Sequence, residues 1–582
     1  MTKLLMPIGG VEKLPTDCWQ LVFHHLNNDD LKAVSLVCKD FLTDSNLVKK
    51  SLNVIHPDVS MLSQQLKRFT QLKTIDFSRL QGGDLDGAIR EVARSKLSLE
   101  SLTFCREATF KTESLRELGS NSNLLKTLNR FDTECRNDND LEVIANSFMN
   151  LEHVSIGHCP TKRNPSPYIP SDSGVIFLAS KLKLLNTICI KGGHGISDDS
   201  IVALSLNCVF LNDVTIYGSG SEITETGIGR LLRNRPNLEA LFISGINQDP
   251  SEITIENSIS HAKSLTSLSF MGMSVSDKLL MEIAKAKLPL KDLQLAFCRN
   301  CSASGLLTVL TNNLRNLTMY CTKVDMDMVV LNGNIRNLTR IVIFGCANNL
   351  TKSTLFLLPT KCPSLVEMKI QDVKLELDGG AEIISLCKNH NIQNLQLGFK
   401  AGITSDELLQ LFVLRSPNLR VLDLSYCHQV TSKGIEAVLK NCKFITNLKL
   451  RGYRKSMIIE ADSELSELNL KVLELTSSYI DDEGLGVIAR KCPRLMYLHL
   501  WCCNNVTTRG IKNAVGNINT LTDLRLTYCN EVKSGELLEW MLSTGSLASL
   551  KRITIPQRMD ATEEQREELL RRGCIFSHLM QF

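Results

Sequence analysis

The sequence predicts an α/β solenoid of short parallel strands and helices, and three observations predict it. In LRVLDLSYCHQVTSKGIEAVLKNC, Leu419, Leu422 and Leu424 follow a leucine-x-x-leucine-x-leucine rule, so that Leu422 and Leu424 share one side of a strand while Val421, Asp423 and Ser425 face the other. The same stretch continues through a turn to Thr431-Ser432, a pair able to cap a helix, and then to Ile435, Val438 and Leu439 at helical spacing. Thirdly, this pattern recurs roughly nineteen times at intervals of about 26 residues. One strand, one turn and one helix cannot bury an apolar side alone, so the copies must stack.

The recurrences start near Leu72 and Leu99, resume at Leu151, and run through Leu185, Leu238, Leu290, Leu338, Leu470, Leu495 and Leu521 to Leu550, with a degraded copy near Leu125. Their spacing is that of leucine-rich repeats. A solenoid grows by adding repeats, so 582 residues do not imply several ordinary domains. Of the 20 cysteines, Cys159, Cys298, Cys346, Cys427, Cys503 and Cys529 follow the strand pattern at one fixed place, while Cys208, Cys362, Cys442 and Cys492 end predicted helices. Those places suit a small buried group, so reduced thiols in the cytoplasm or nucleus are expected, and not a disulfide framework.

Charge and hydropathy exclude further classes. The net charge is only +4, from 66 basic and 62 acidic residues, which argues against a dedicated role on nucleic acid or a membrane surface. The apolar run Leu4 to Ile8 ends at Gly9-Gly10, so no secretory segment is expected, and no run approaches membrane-spanning length. The NLT and NVT triplets at Asn316, Asn337, Asn349 and Asn505 are then incidental.

Taken in order, residues 1–10 form a short tail and residues 11–55 break the repeat. Leu14-Pro15 opens that segment; Thr16 or Asp17 can cap a first helix with Trp19, Val22, Phe23 and Leu26 as its stripe. Asn27 to Asp30 interrupts it, Leu31, Val34, Val37, Cys38 and Phe41 make a second stripe, and a third short helix is expected near Leu47. Residues 56–71 read as a helical lead-in, and the array is expected from 72 to 582. Pro160 to Ser171 is a rim loop, because its four prolines exclude a helix. Leu550 to Ile555 is the expected final strand, and Thr562 to Arg572 a charged helix that covers the repeat edge, with Cys574 to Phe582 folding back on it.

The order LP…W..VF..L…DL..VSLVCK.F resembles an F-box, the module that docks substrate receptors on the Skp-type adaptor of SCF ubiquitin ligases. The repeats resemble the cysteine-containing class of leucine-rich repeats that follows F-boxes, especially in plants. Gly434, Gly484 and Gly510 recur after the helix cap as that class often shows. The resemblance implies a three-helix F-box and then a right-handed horseshoe, with the parallel sheet on the concave face and helices on the convex face. It also implies adaptor contacts from Leu14, Pro15, Val22, Leu26, Leu31, Val34, Val37 and Cys38, and through the adaptor a cullin–RING ligase. Phe41 stands where many members carry tryptophan.

Strands about 4.8 Å apart would line an arc on the order of 90 Å, room for a folded target protein. Outward positions near the C-terminal end include Tyr497, His499, Trp501 and Arg525, aromatic and cationic side chains favoured as interface anchors, and these are the candidate substrate-reading patch. Cys298 and Cys301 have CxxC spacing without a matching second pair, so no metal is expected. The histidines are scattered, and no phosphate-cradling glycine loop or nucleophile elbow is present, so neither a cofactor nor catalysis is expected. The favoured reading is a non-catalytic substrate receptor that speeds ubiquitin transfer by proximity. The competing readings are a hormone co-receptor like the auxin and jasmonate F-box proteins, and a repeat scaffold outside any ligase. The first is disfavoured because Arg340, Lys369, Lys449, Arg451, Arg525 and Arg552 alternate with acidic residues instead of forming a basic strip.

Overall fold

The computed structural model describes residues 15–578 except 55–57, 79, 81–83, 105–111, 122–123, 130–137, 158–169, 192–194, 219–221, 247–252, 346–349, 374, 377–390, 400–404, 461–464, 466, 545–548, 556–561 and 573. The loop predicted over 160–171 thus lies almost wholly outside the described residues, as do Leu14, Cys159 and Cys346. The chain divides into two compact units, Met1–Leu268 with Lys285–Pro289, and Ser269–Ala284 with Leu290–Phe582.

The first unit opens with three helices, α1 (Thr16–Phe23), α2 (Asn28–Val34) and α3 (Lys39–Val48). The second predicted stripe therefore does not form one helix. α2 ends at Val34, and Cys38 is the N-cap of α3, its sulfur accepting from the Phe41 N–H at 3.4 Å. The strand ladder also begins earlier than the leucine pattern shows. Ser51–Asn53 pairs in parallel with Thr74–Asp76, and Val59–Arg68 is the helix between them, so the predicted lead-in belongs to a first repeat. From there the ladder runs in parallel to Ala240–Ser244. The weak copy near Leu125 still supplies a strand, Thr127–Asn129, because Leu125 and Leu128 fill their two core places although Arg130 follows.

In the second unit the parallel ladder runs from Asp292–Ala296 to Arg552–Ile555 and adds a further strand, Ile575–His578. Leu550 to Ile555 is therefore not followed by a cap alone: the helix Glu563–Arg571 leads into another ladder member. Register explains the leucine rule. Leu422, Leu448, Leu473, Leu498 and Leu524 are direct cross-strand partners, each at most 1% exposed, so one leucine per repeat builds a continuous buried row. Each such burial contributes about 1.5–3 kcal/mol.

Adjacent repeats are also tied by a polar ladder that the sequence reading missed. Asp406, in the first turn of one helix, accepts from the Thr431 N–H at 2.8 Å and the Thr431 hydroxyl at 2.5 Å in the next repeat. Thr431 occupies the predicted cap position, but its side chain serves this carboxylate and makes no cap bond to its own helix. Asp172 with Ser197, Asp198 with Thr224, Asp277 with Ser302 and Asp482 with Thr507 repeat the arrangement. Each acid sits at a helix start, where the backbone dipole favours negative charge.

Among the described residues, Cys208, Cys298, Cys362, Cys427, Cys442, Cys492, Cys503 and Cys529 occupy the buried sites the pattern assigned to them. Cys427, Cys503 and Cys529 point their thiols at strand carbonyls of Leu397, Leu475 and Leu500. Cys208 and Cys442 do the same at helix ends, and burial pushes both thiols up to about 11. None of the described cysteines forms a disulfide. No described helix is long and apolar enough to cross a membrane.

Candidate functional site

Two surfaces carry side chains that the fold does not use internally. The first is on the N-terminal helices. Phe23, Leu31 and Val48 form their core, with Trp19, Leu26, Val34 and Phe41 packed against it. Phe41 lies 4.8 Å from Trp19 and 5.2 Å from Phe23 between ring centres, the latter edge-on, so it fills the aromatic anchor position from inside. Leu31 is 7% exposed and belongs to this core, and Leu26 and Val34 are half-buried against it. These three candidate adaptor contacts mainly hold the module together.

The remaining candidates face outward. Pro15 is exposed at the start of α1 with φ −55° and ψ 148°, Val22 and Val37 are 50% and 68% exposed, and Cys38 is exposed. Two residues absent from the candidate set join them. Leu21 is 65% and Leu36 80% exposed, the latter in the link between α2 and α3. Four large apolar side chains on so small a module are a surface that invites cover. Their signal in the sequence was the doubled apolar pairs Leu21-Val22 and Leu36-Val37, in which one helical stripe cannot bury both members.

The second surface is the outward face of the ladder in the second unit. Along Val421–Ser425, Asn447–Arg451, Val472–Thr476, Tyr497–Trp501 and Asp523–Thr527, the register sets Asp423, Lys449, Glu474, His499 and Arg525 in one row. A second row holds Arg451, Thr476, Trp501 and Thr527. All four predicted residues come together here. The Arg525 guanidinium stands 5.0 Å from the centre of the Tyr497 ring and makes two 3.1 Å bonds to Asp523. His499 lies edge-on between Tyr497 and Trp501, at 6.3 and 6.1 Å. Burial, aided by the nearby Arg525, lowers the His499 pKa despite opposing pulls from Glu474 and Asp523, which favours the neutral ring.

Beside these residues is a cavity of about 380 Å³, lined among others by Gln396, Tyr426, Lys449, Arg451, Thr476 and Trp501. Tyr426 and Tyr528 were not candidates in the sequence. Each follows its strand with a left-handed backbone, φ 55° and 53°, and each projects from the ladder, 51% and 39% exposed. Tyr528 packs 5.6 Å from Trp501, and Arg451 lies 5.4 Å from the Tyr426 ring centre. Their signal is position alone, the residue immediately after the strand, where the chain turns and cannot bury a large ring.

The face is electrically self-neutralised in large part. Arg340 and Lys369 flank Glu367 at 3.1 and 2.7 Å, Lys449 meets Glu474 at 3.0 Å, and Arg525 and Arg552 share Asp523 at 3.1 and 3.3 Å. Among the described residues Arg451 has no carboxylate partner. No group of three or more metal-ligating side chains converges among the described residues, and Cys298 points its thiol at the carbonyls of Phe270 and Ala296.

Comparison with known proteins identifies the domains to which the two surfaces belong. The F-box domain family matches residues 11–43, and the Leucine Rich repeat family matches residues 415–439. F-box protein SKIP1 of Arabidopsis thaliana is 24% identical over 168 residues, 26% of this chain and 56% of that protein. F-box/LRR-repeat protein 4 of Bos taurus is 27% identical over 152 residues, 25% of this chain and 23% of its own length. BTB/POZ domain-containing protein FBL11 of Arabidopsis thaliana is 23% identical over 520 residues, 79% of this chain and 51% of that protein. The chain thus spans 56% or less of each of these three relatives. With α1, α2 and the start of α3 inside the first match, and the strand Val421–Ser425 and most of the helix Ser432–Asn441 inside the second, the chain carries the domain pair of F-box/leucine-rich-repeat proteins.

Proposed function

We propose that this chain is the substrate-recognition subunit of an SCF-type ubiquitin ligase. Its F-box docks on a Skp-type adaptor, and its ladder face holds a protein target. One observation carries the reading: an F-box core complete in itself leaves Leu21, Val22, Leu36 and Val37 outside. A partner with a matching apolar groove would bury them at about 1.5–3 kcal/mol each. Leu14, Pro15, Val22, Val37 and Cys38 from the original set, with Leu21 and Leu36, are the adaptor contacts; Leu31 supports them from within. The chain contributes position and no chemistry, because holding a target lysine near a charged carrier enzyme is itself a large rate factor.

Target reading is assigned to Tyr497, His499, Trp501 and Arg525, extended by Tyr426, Arg451 and Tyr528. Aromatic rings held edge to edge, with arginines stacked on them, offer much area at little entropic cost. A second reading is supported by the cavity beside Trp501, whose volume of about 380 Å³ falls in the range of small-ligand sites: a small molecule there would complete the target surface.

Affinity capture from cells tests the reading. A Leu14→Ala/Pro15→Ala form is expected to lose the adaptor and retain targets, and Trp501→Ala to retain the adaptor and lose targets. If Trp501→Ala captured the same targets as wild type, the recognition patch would lie elsewhere. If targets returned to Trp501→Ala only on addition of a cell-derived small-molecule fraction, the second reading would gain.

A further inference from the structure

A cleft of about 490 Å³ lies in the first unit where α2, the end of α3 and the first repeat meet. Lys32 of α2, Lys49 just after α3 and Arg68 at the end of Val59–Arg68 all line it. None of the three has a carboxylate partner among the described residues, in contrast to the ladder face, where nearly every cation is paired. The acids nearby in sequence are engaged elsewhere: Asp30 with the Asn27 amide, Asp44 with Gln20, and Asp58 with the N–H groups of Ser60 and Met61.

Lys49 and Arg68 are fixed in place and not left to swing in solvent. The Lys49 ammonium stands 4.4 Å and the Arg68 guanidinium 5.3 Å from the centre of the buried Phe69 ring, and the Arg68 Nε–H donates to Asn46 at 2.9 Å. Burial lowers the Lys49 pKa, and the charges of Arg68 and Lys32 lower it further. Three cations thus converge on one cleft with no carboxylate paired to them among the described residues. Asn46, Ser51 and Gln65 add polar groups to the same lining.

We propose that this cleft is an oxyanion site for a phosphate-class anion carrying at least two negative charges. The guanidinium can offer parallel N–H bonds to two oxygens of such a group, and the ammonium groups supply compact point charges. An anion bound there would be held at once by the F-box and by the first repeat, tying the two together.

Isothermal titration of the full chain with inorganic pyrophosphate, against KCl at matched ionic strength, tests the site. Wild type is expected to bind pyrophosphate, Lys49→Gln and Arg68→Gln to bind at least tenfold more weakly, and Lys67→Gln, of equal net charge but outside the cleft, to bind as wild type does. A parallel arm with O-phosphoserine distinguishes the source: tighter binding of pyrophosphate assigns a free polyphosphate, tighter binding of O-phosphoserine a modified side chain. In thermal unfolding without anion, Lys49→Gln should melt no lower than wild type, because removing one of three mutually repelling charges relieves the cleft. No heat beyond the KCl control, equal weakening by Lys67→Gln, or a lowered melting point for anion-free Lys49→Gln would each overturn the proposal.

Discussion

Gly434 has no side chain because the carboxylate of Asp406, in the preceding repeat, stands where a Cβ would be. The same holds for Gly510 against Asp482, so this recurrent glycine and the aspartate ladder are one device. Gly484, which shares the sequence position, meets the Ser456 carbonyl instead. Gly434→Ala is expected to destabilise the chain by about 1–3 kcal/mol in chemical denaturation. Gly486→Ala, whose Cβ would meet only the Asn513 and Arg490 side chains at 3.3 and 3.6 Å, should be nearly silent. The glycines were legible in the sequence; their reason was not, because the acid that excludes a side chain lies a whole repeat away. Trp501 was legible for the opposite reason, since outward strand positions follow from period two alone. Its loss should reduce target affinity by about 2 kcal/mol or more while leaving the melting point close to that of wild type.

At the scale of the element, the repeat is held by both its leucine row and its acid ladder, and the two respond differently to pH. Burial by itself would raise the Asp172 pKa, but hydrogen bonds from Ser197 and Ser200 outweigh it and hold the carboxyl below its usual value. A carboxyl whose folded pKa lies below its unfolded one stabilises the fold above the unfolded value, about 3.9, and the contribution is lost as pH falls through the folded value. Asp172→Asn should therefore be less stable than wild type at neutral pH and lose less on going from about pH 5 to pH 2. Urea titrations at several pH values measure both slopes. Strands were well placed by sequence, as the starts at Leu419, Leu470, Leu495 and Leu521 each lie two residues before an observed strand. The first strand, Ser51–Asn53, was missed because Lys49 stands two residues before it where the other repeats carry leucine or isoleucine, and Ile575–His578 because Gly573 stands in the same place. Nor does every repeat keep its helix: none forms among the described residues between Asn447–Arg451 and Val472–Thr476, where Ile458 and Ile459 fill the core instead.

At the scale of the whole molecule, the F-box lies in one compact unit and the aromatic patch in the other, each with its own core. With the adaptor on one unit and the target on the other, as proposed, a variant should lose one partner without losing the other. The small net charge of +4 assigns specificity to local pairing instead of bulk attraction. The F-box was legible in outline from its Leu-Pro opening and aromatic spacing, but which of its side chains the module's own core takes was not, because a helix stripe does not say what covers it. Leu31 shows the point: the most regular position in the stripe is the one the core takes. The most direct measurement is the affinity of the full chain for a purified Skp-type adaptor, comparing wild type with Leu36→Asp/Val37→Asp and with Leu206→Asp, an exposed leucine remote in sequence from the F-box. The account predicts binding by wild type and by Leu206→Asp, and a loss of about a hundredfold or more in the double variant. Undiminished binding by the double variant, or none by the wild type, would contradict it.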